Sequence, residues 1–164
     1  MAAIAPLAGF EPPLASLLGP ARVRTPLDAR DKPGILRELS AVLATGAGVP
    51  DRADEIRRAI EAREALLSTG VGHGIALPHA RTSALGSLQM AVGTTAGPVD
   101  FDAVDESPVR LVWMLAAPAS ASGLHVRTLA RISGLLREAS IRERLVEAGS
   151  PQEFLAFLRE VDAG

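Results

Sequence analysis

The sequence contains no cysteine. That excludes disulfides, a thiolate nucleophile and any cysteine-ligated metal cluster, and it suits a reducing compartment. Lysine is almost absent as well: Lys32 stands alone, so arginine supplies nearly all of the positive charge. No basic block reads as a membrane-surface patch. With a formal net charge of −2, the chain argues against nucleic acid as its main partner, because backbone phosphates demand a basic face. No stretch approaches about eighteen uninterrupted apolar residues, the minimum for a membrane span. The apolar N-terminus, "MAAIAPLAGFEPPLASLLGP", lacks a basic start and is broken by Pro6, Glu11, Pro12 and Pro13, so it does not read as a signal peptide. These absences predict a cytoplasmic protein with no direct membrane insertion.

What is present is a chain of 164 residues, 48% hydrophobic and 22% charged, enough to bury a real core as one domain. There is no internal repeat and no interdomain linker. Residues 1–12 are expected to be flexible or to cover an apolar face, and 13–164 to form the folded domain. A short helix is expected from Pro13 to Leu18, stopped by Gly19-Pro20, and a brief strand at "ARVRT". From Asp31 to Ala44, Ile35, Leu36, Leu39, Val42 and Leu43 keep helical spacing, and Gly46 ends the segment. Pro50-Asp51 opens the next helix, whose first turn holds Asp54 and Glu55. Its apolar stripe reads Ile56, Ala59/Ile60 and Leu66/Leu67, and Arg63 completes it. A charge facing inward must be paired or hydrogen-bonded, since burying it alone costs several kcal/mol. A structural ion pair or a snorkelling side chain would also account for Arg63.

Two strand-like runs follow, "SLQMAVGTT" and "PVRLVWMLAAP", the second apolar enough for a central strand. Between them "GPVDFDAVDES" reads as an acidic loop. A helix opens at Ser122-Gly123 with Val126, Leu129, Ile132 and Leu136; others are expected from about Ile141 and from Pro151 to Val161. The expected architecture is a single-domain α/β fold of three layers, a mixed central β-sheet flanked by helices, with strand order left open.

The chemistry concentrates in "STGVGHGIALPHAR", Ser68 to Arg81. Gly70, Gly72 and Gly74 do not make a dinucleotide fingerprint, because its third glycine would fall on Ile75, and no Gly-Lys-Ser/Thr follows as in a Walker loop. A glycine-rich turn before the strand "IALP" is the plainer reading. His79 follows Pro78 at the end of that strand, where ligand sites of α/β sheets tend to lie. His125 shares a helix face with Leu129, Ile132 and Leu136, so it points inward near a helix N-terminus. Two imidazoles and the inward Arg63 would suit an anion or phosphoryl group. A metal site from His73, His79 and His125 is the alternative, but no carboxylate pair stands beside them.

"REALLSTGVGHGIALPHAR" (Arg63 to Arg81) resembles the active-site signature of enzyme IIA of the phosphoenolpyruvate-dependent phosphotransferase system, mannitol/fructose type, a class that includes nitrogen-regulatory relatives. The similarity continues through "PVDFDAVDESPVRLVWMLAAP" and "HVRTLARISGLL", covering roughly Leu14 to Val161. The resemblance implies a phosphotransferase component with His79 phosphorylated, Arg63 neutralising the phosphoryl group, and His125 in support. Ser68 and Thr69 fall on the motif's turn, and His73 inherits no role. It implies no cofactor and no metal. The partners it implies are an HPr-like donor and either an enzyme IIB cysteine or a regulatory target, with the oligomeric state open. A IIA segment without transporter or IIB sequence beside it suggests the nitrogen-regulatory branch as the alternative to sugar uptake.

Overall fold

The computed structural model describes residues 12–162. Its centre is the continuous apolar run that ends at Ala117. There β6 (Val109–Ala117) is buried at every position except Arg110, and a strand buried on both faces needs a layer on each. β6 pairs antiparallel with β5 (Gln89–Val99). Along its other edge run β3 (Ile75–Ala76) and β4 (His79–Arg81), both parallel to it. β1 (Val23–Arg24) lies parallel to β5, and β2 (Gly70–Gly72) pairs antiparallel with β3. The order is β1-β5-β6-β3-β2, with β4 continuing the same edge of β6.

Six α-helices among the described residues cover this mixed sheet. On one face α2 (Lys32–Gly46) and α3 (Ala53–Leu66) pack their apolar sides on Val112, Met114 and Ala116 of β6. On the other, α1 (Leu14–Leu18), α4 (Ser122–Leu135), α5 (Ala139–Glu147) and α6 (Pro151–Asp162) meet Leu111, Trp113 and Leu115. The alternation follows directly from the two-residue period of a strand. Trp113 packs against Phe154 of α6 with ring centroids 6.3 Å apart. Where β5 passes under Leu27, only glycine fits: a Cβ on Gly93 would lie 2.5 Å from Leu27 Cγ.

The three-layer α/β expectation matches this architecture, and each expected helix is present within a few residues of its expected bounds. α2 starts where Asp31 Oδ1 accepts a hydrogen bond from Gly34 N at 2.8 Å, an N-cap that satisfies one orphan amide. Three readings need correction. The buried stripe of α3 is Ile56, Ile60 and Glu64, whereas Leu66 and Leu67 are 83% and 65% exposed. The helix ends at Leu66 and Leu67 is already extended, so neither follows the stripe inward. The strand "IALP" is interrupted at Leu77-Pro78, and His79 opens β4 instead of ending a strand. The expected loop also starts later, because β5 runs on through Gly97 and Pro98 to Val99.

The expectation for residues 1–12 lies outside the described residues, apart from Pro12. Its carbonyl accepts a hydrogen bond from Arg131 Nη1 at 3.0 Å. No helix among the described residues is long and apolar enough to cross a membrane.

Candidate active site

The groups that hold His79 directly are backbone ones. β4 is registered on β6, with His79 opposite Leu115, and Leu115 N donates to Pro78 O at 2.9 Å. Pro78 restricts the chain's turn into β4, and the His79 ring folds back so that Nδ1 lies 2.7 Å from Leu77 O. A carbonyl oxygen only accepts, so Nδ1 carries the proton of the neutral ring. The lone pair is therefore on Nε2, the nucleophilic atom of this histidine.

His125 approaches from the opposite layer. It sits in the first turn of α4, on the buried side it shares with Thr128 and Ile132, and is only 5% exposed. Its ring stands perpendicular to that of His79, centroids 5.5 Å apart. Nε2 of His125 is buried and has no hydrogen-bond partner among the described residues. Burial, then the charges of His79 and Arg81, lower its proton affinity below the ordinary histidine value. An imidazole kept neutral beside a nucleophilic one is free to offer a hydrogen bond to whatever enters between them.

Arg63 reaches the same place from α3. It is half-buried, and Nη1 donates to Leu67 O at 2.9 Å, where a cation suits the negative end of the helix. Together Arg63, His79, Arg81 and His125 line a cleft of about 420 Å³ completed by Ala59, Ala62, Leu66 and Ala80. The lining contains two arginines, two imidazoles and no carboxylate, a composition that receives anions.

The sequence-predicted residues divide here. Arg63, His79 and His125 meet in one cleft, while Ser68 and Thr69 do not line it. Ser68 Oγ donates to Phe101 O at 2.6 Å and accepts from Gly70 N. Thr69 is buried, its Oγ1 and N both donating to Glu64, at 2.6 and 3.0 Å. His73 occupies the turn between β2 and β3 with φ 58°, flanked by Gly72 and Gly74 at φ 96° and 79°, a left-handed run that glycine accommodates freely. It lines other clefts that do not include His79. Among the described residues no group of three His, Cys, Asp or Glu side chains stands close enough to hold a metal ion.

Three groups in or beside this cleft were not singled out in the sequence. Arg81 lies two residues past His79 on β4, and strand parity would have placed both on one face. The Leu77 carbonyl and the buried Glu64 had no such signal.

Residues 16–161 match the family model for the phosphoenolpyruvate-dependent sugar phosphotransferase system, EIIA 2. The chain belongs to this EIIA family. It is 39% identical over 119 residues to the fructose-specific EIIA component of Haloferax volcanii, covering 73% of this chain and 77% of that protein. The nitrogen regulatory protein of Pseudomonas aeruginosa is 34% identical over 151 residues, 92% of this chain and 97% of that one. The fructose-specific EIIABC component of Bacillus subtilis is 32% identical over 91% of this chain, which spans only 23% of that longer protein. Among solved structures, the nitrogen regulatory protein IIA-Ntr of Neisseria meningitidis superposes with a TM-score of 0.81 at 30% identity, covering 88% of this chain and 97% of that one. The mannitol IIA of Escherichia coli gives 0.72 at 25% identity, covering 86% and 98%. EIIA proteins are phosphotransferase components, and membership supports a phosphocarrier role for this chain.

Proposed function

We propose that this EIIA protein carries a phosphoryl group on Nε2 of His79. An HPr-like donor presents its phosphohistidine in the cleft. The Nε2 lone pair attacks phosphorus as the donor's N–P bond breaks. The donor ring, protonated on its other nitrogen, takes the electron pair and leaves as a neutral imidazole, and the His79 ring, still Nδ1–H, takes over the positive charge. His79 keeps its Nδ1 proton on Leu77 O throughout, so that hydrogen bond holds the ring still during transfer. The chemistry asks little of the protein beyond alignment and charge neutralisation. Arg63 and Arg81 balance the phosphoryl oxygens, and His125 donates to one of them. The exposed Leu66, Leu67 and Val126 near the site form an apolar rim that a docking partner covers, keeping water from the phosphohistidine.

The observation that carries this reading is the convergence of a free Nε2 with two arginines and a second imidazole in one carboxylate-free cleft. The acceptor thiolate of an enzyme IIB lies outside this sequence, which has no cysteine. Incubation with phosphoenolpyruvate, enzyme I and an HPr-like carrier should label the wild type and leave His79→Ala unlabelled. Equal labelling of both would overturn the assignment.

A regulatory use of the same phosphorylation is the second reading, favoured by the high TM-score to the Neisseria IIA-Ntr structure. Discharge of labelled protein to purified IIB domains separates the two: rapid discharge supports uptake, and retention of the label supports signalling.

A further inference from the structure

A carboxylate sits where the apolar stripe of α3 calls for another isoleucine. Glu64 follows Ile56 and Ile60 at steps of four and is 8% exposed. Burying that charge is expensive unless every lone pair finds a donor. Its donors are Lys32 Nζ at 2.8 Å, Thr69 Oγ1 at 2.6 Å and Thr69 N at 3.0 Å. Lys32 is fixed in turn, its Nζ lying 5.0 Å from the Phe101 ring centroid and 3.3 Å from Phe101 O.

The bonds do not stop at Thr69. The Thr69 carbonyl accepts from Leu77 N at 3.0 Å, and the Leu77 carbonyl accepts from His79 Nδ1 at 2.7 Å. A continuous path of hydrogen bonds therefore runs from the buried ion pair to the ring proton of the nucleophile. Glu64 is also the residue next to Arg63, so the same anchor holds the helix end that carries the guanidinium.

The geometry points to Glu64 as a positioning residue that, through Thr69 and Leu77, sets the tautomer and orientation of His79. This rests on His79 being the phosphoryl acceptor, and it adds a role for the Ser68-Thr69 turn, which does not reach the cleft. The Thr69 side chain holds the carboxylate, and its carbonyl holds the segment whose next carbonyl selects Nδ1–H. Loosening the anchor lets the ring turn, populates the Nε2–H form and withdraws the nucleophilic lone pair.

The test reads tautomers in the unphosphorylated protein, where only three histidines contribute to a long-range ¹H–¹⁵N spectrum. Glu64→Gln and Thr69→Val are compared with wild type and with Thr69→Ser, which keeps the hydroxyl. Each is measured at a temperature where circular dichroism shows it folded. Wild type and Thr69→Ser should hold His79 as Nδ1–H. Glu64→Gln and Thr69→Val should show the Nε2–H form and take up phosphate from the carrier about tenfold to a hundredfold more slowly, the usual cost of a misplaced reacting group. Should Glu64→Gln fail to fold, Thr69→Val decides alone, since it alters no charge. An unchanged Nδ1–H signal in the folded variants overturns the inference, whether or not uptake slows. Continued labelling of His79→Ala overturns the phosphocarrier reading instead, and the tautomer spectrum tells the two failures apart.

Discussion

The imidazoles of His79 and His125 stand at 88° to each other, 5.5 Å between centroids, with the nucleophilic ring half-exposed and the other buried. One histidine is thus turned towards solvent while its neighbour is kept dry. That difference in surroundings separates their chemistry.

His125 should titrate below the ordinary histidine value in the free protein, because burial and the charges of His79 and Arg81 disfavour its imidazolium. The unfolded chain then takes up a proton first as the solution is acidified. The stability this group contributes is present above about pH 6.5 and is lost as pH falls through the folded value. Phosphorylation of His79 adds negative charge beside it and should raise its titration point. Histidine ¹³C shifts followed against pH in both forms measure this, and a downward move on phosphorylation would contradict it.

The two arginines should divide the work of charge neutralisation. Removing a donor aimed at developing charge commonly costs on the order of a hundredfold, so Arg63→Gln should slow phosphoryl uptake by about that factor. Arg81→Gln should slow it less, since Arg81 is exposed and its guanidinium is held, among the described residues, by only a long hydrogen bond to Ser122 Oγ, at 3.5 Å. It should also raise the titration point of His125. Transfer rates with a single phosphorylated carrier, alongside the ¹³C titration, check both effects.

Lys32→Met should leave Glu64 buried with Thr69 as its remaining partner. Breaking a buried ion pair costs about 3 kcal/mol, which for a chain of this length lowers Tm by roughly 6–12 °C. Trp113, the sole tryptophan and fully buried, reports the transition by fluorescence. The loss should shrink in acid, where Glu64 is protonated. Glu64 resists that protonation: burial favours it, but the hydrogen bonds from Lys32 and Thr69 and the Lys32 charge outweigh burial and hold the carboxyl below its ordinary value.

Gly93→Ala should destabilise by about 1–3 kcal/mol, the cost of overfilling a packed core, because the new Cβ meets Leu27. In Leu27→Ala the same substitution should cost much less. A double-mutant cycle in urea measures the coupling, and simple additivity would rule out the steric account.

The long features were legible in the sequence for physical reasons. β6 announced itself through an uninterrupted apolar run, and α2 and α4 through residues repeating at three and four. Arg63, His79 and His125 could be singled out by residue type and spacing, but their meeting in one cleft depends on chain crossings that periodicity does not encode. The inward face of α3 was misjudged because Leu66 and Leu67 look like core while Glu64 looks like surface. Which one is buried is decided by Lys32, thirty-two residues earlier. The tautomer of His79 is set by a backbone carbonyl, and any residue at position 77 supplies one.

The central claim is tested most directly by mapping the phosphoryl group on protein charged from phosphoenolpyruvate through enzyme I and an HPr-like carrier. Tandem mass spectrometry at neutral pH with ³¹P NMR should find one N-linked phosphoryl group, on Nε2 of His79, and none in His79→Ala. A phosphoryl group on Nδ1, on another residue, or persisting in His79→Ala would contradict the account.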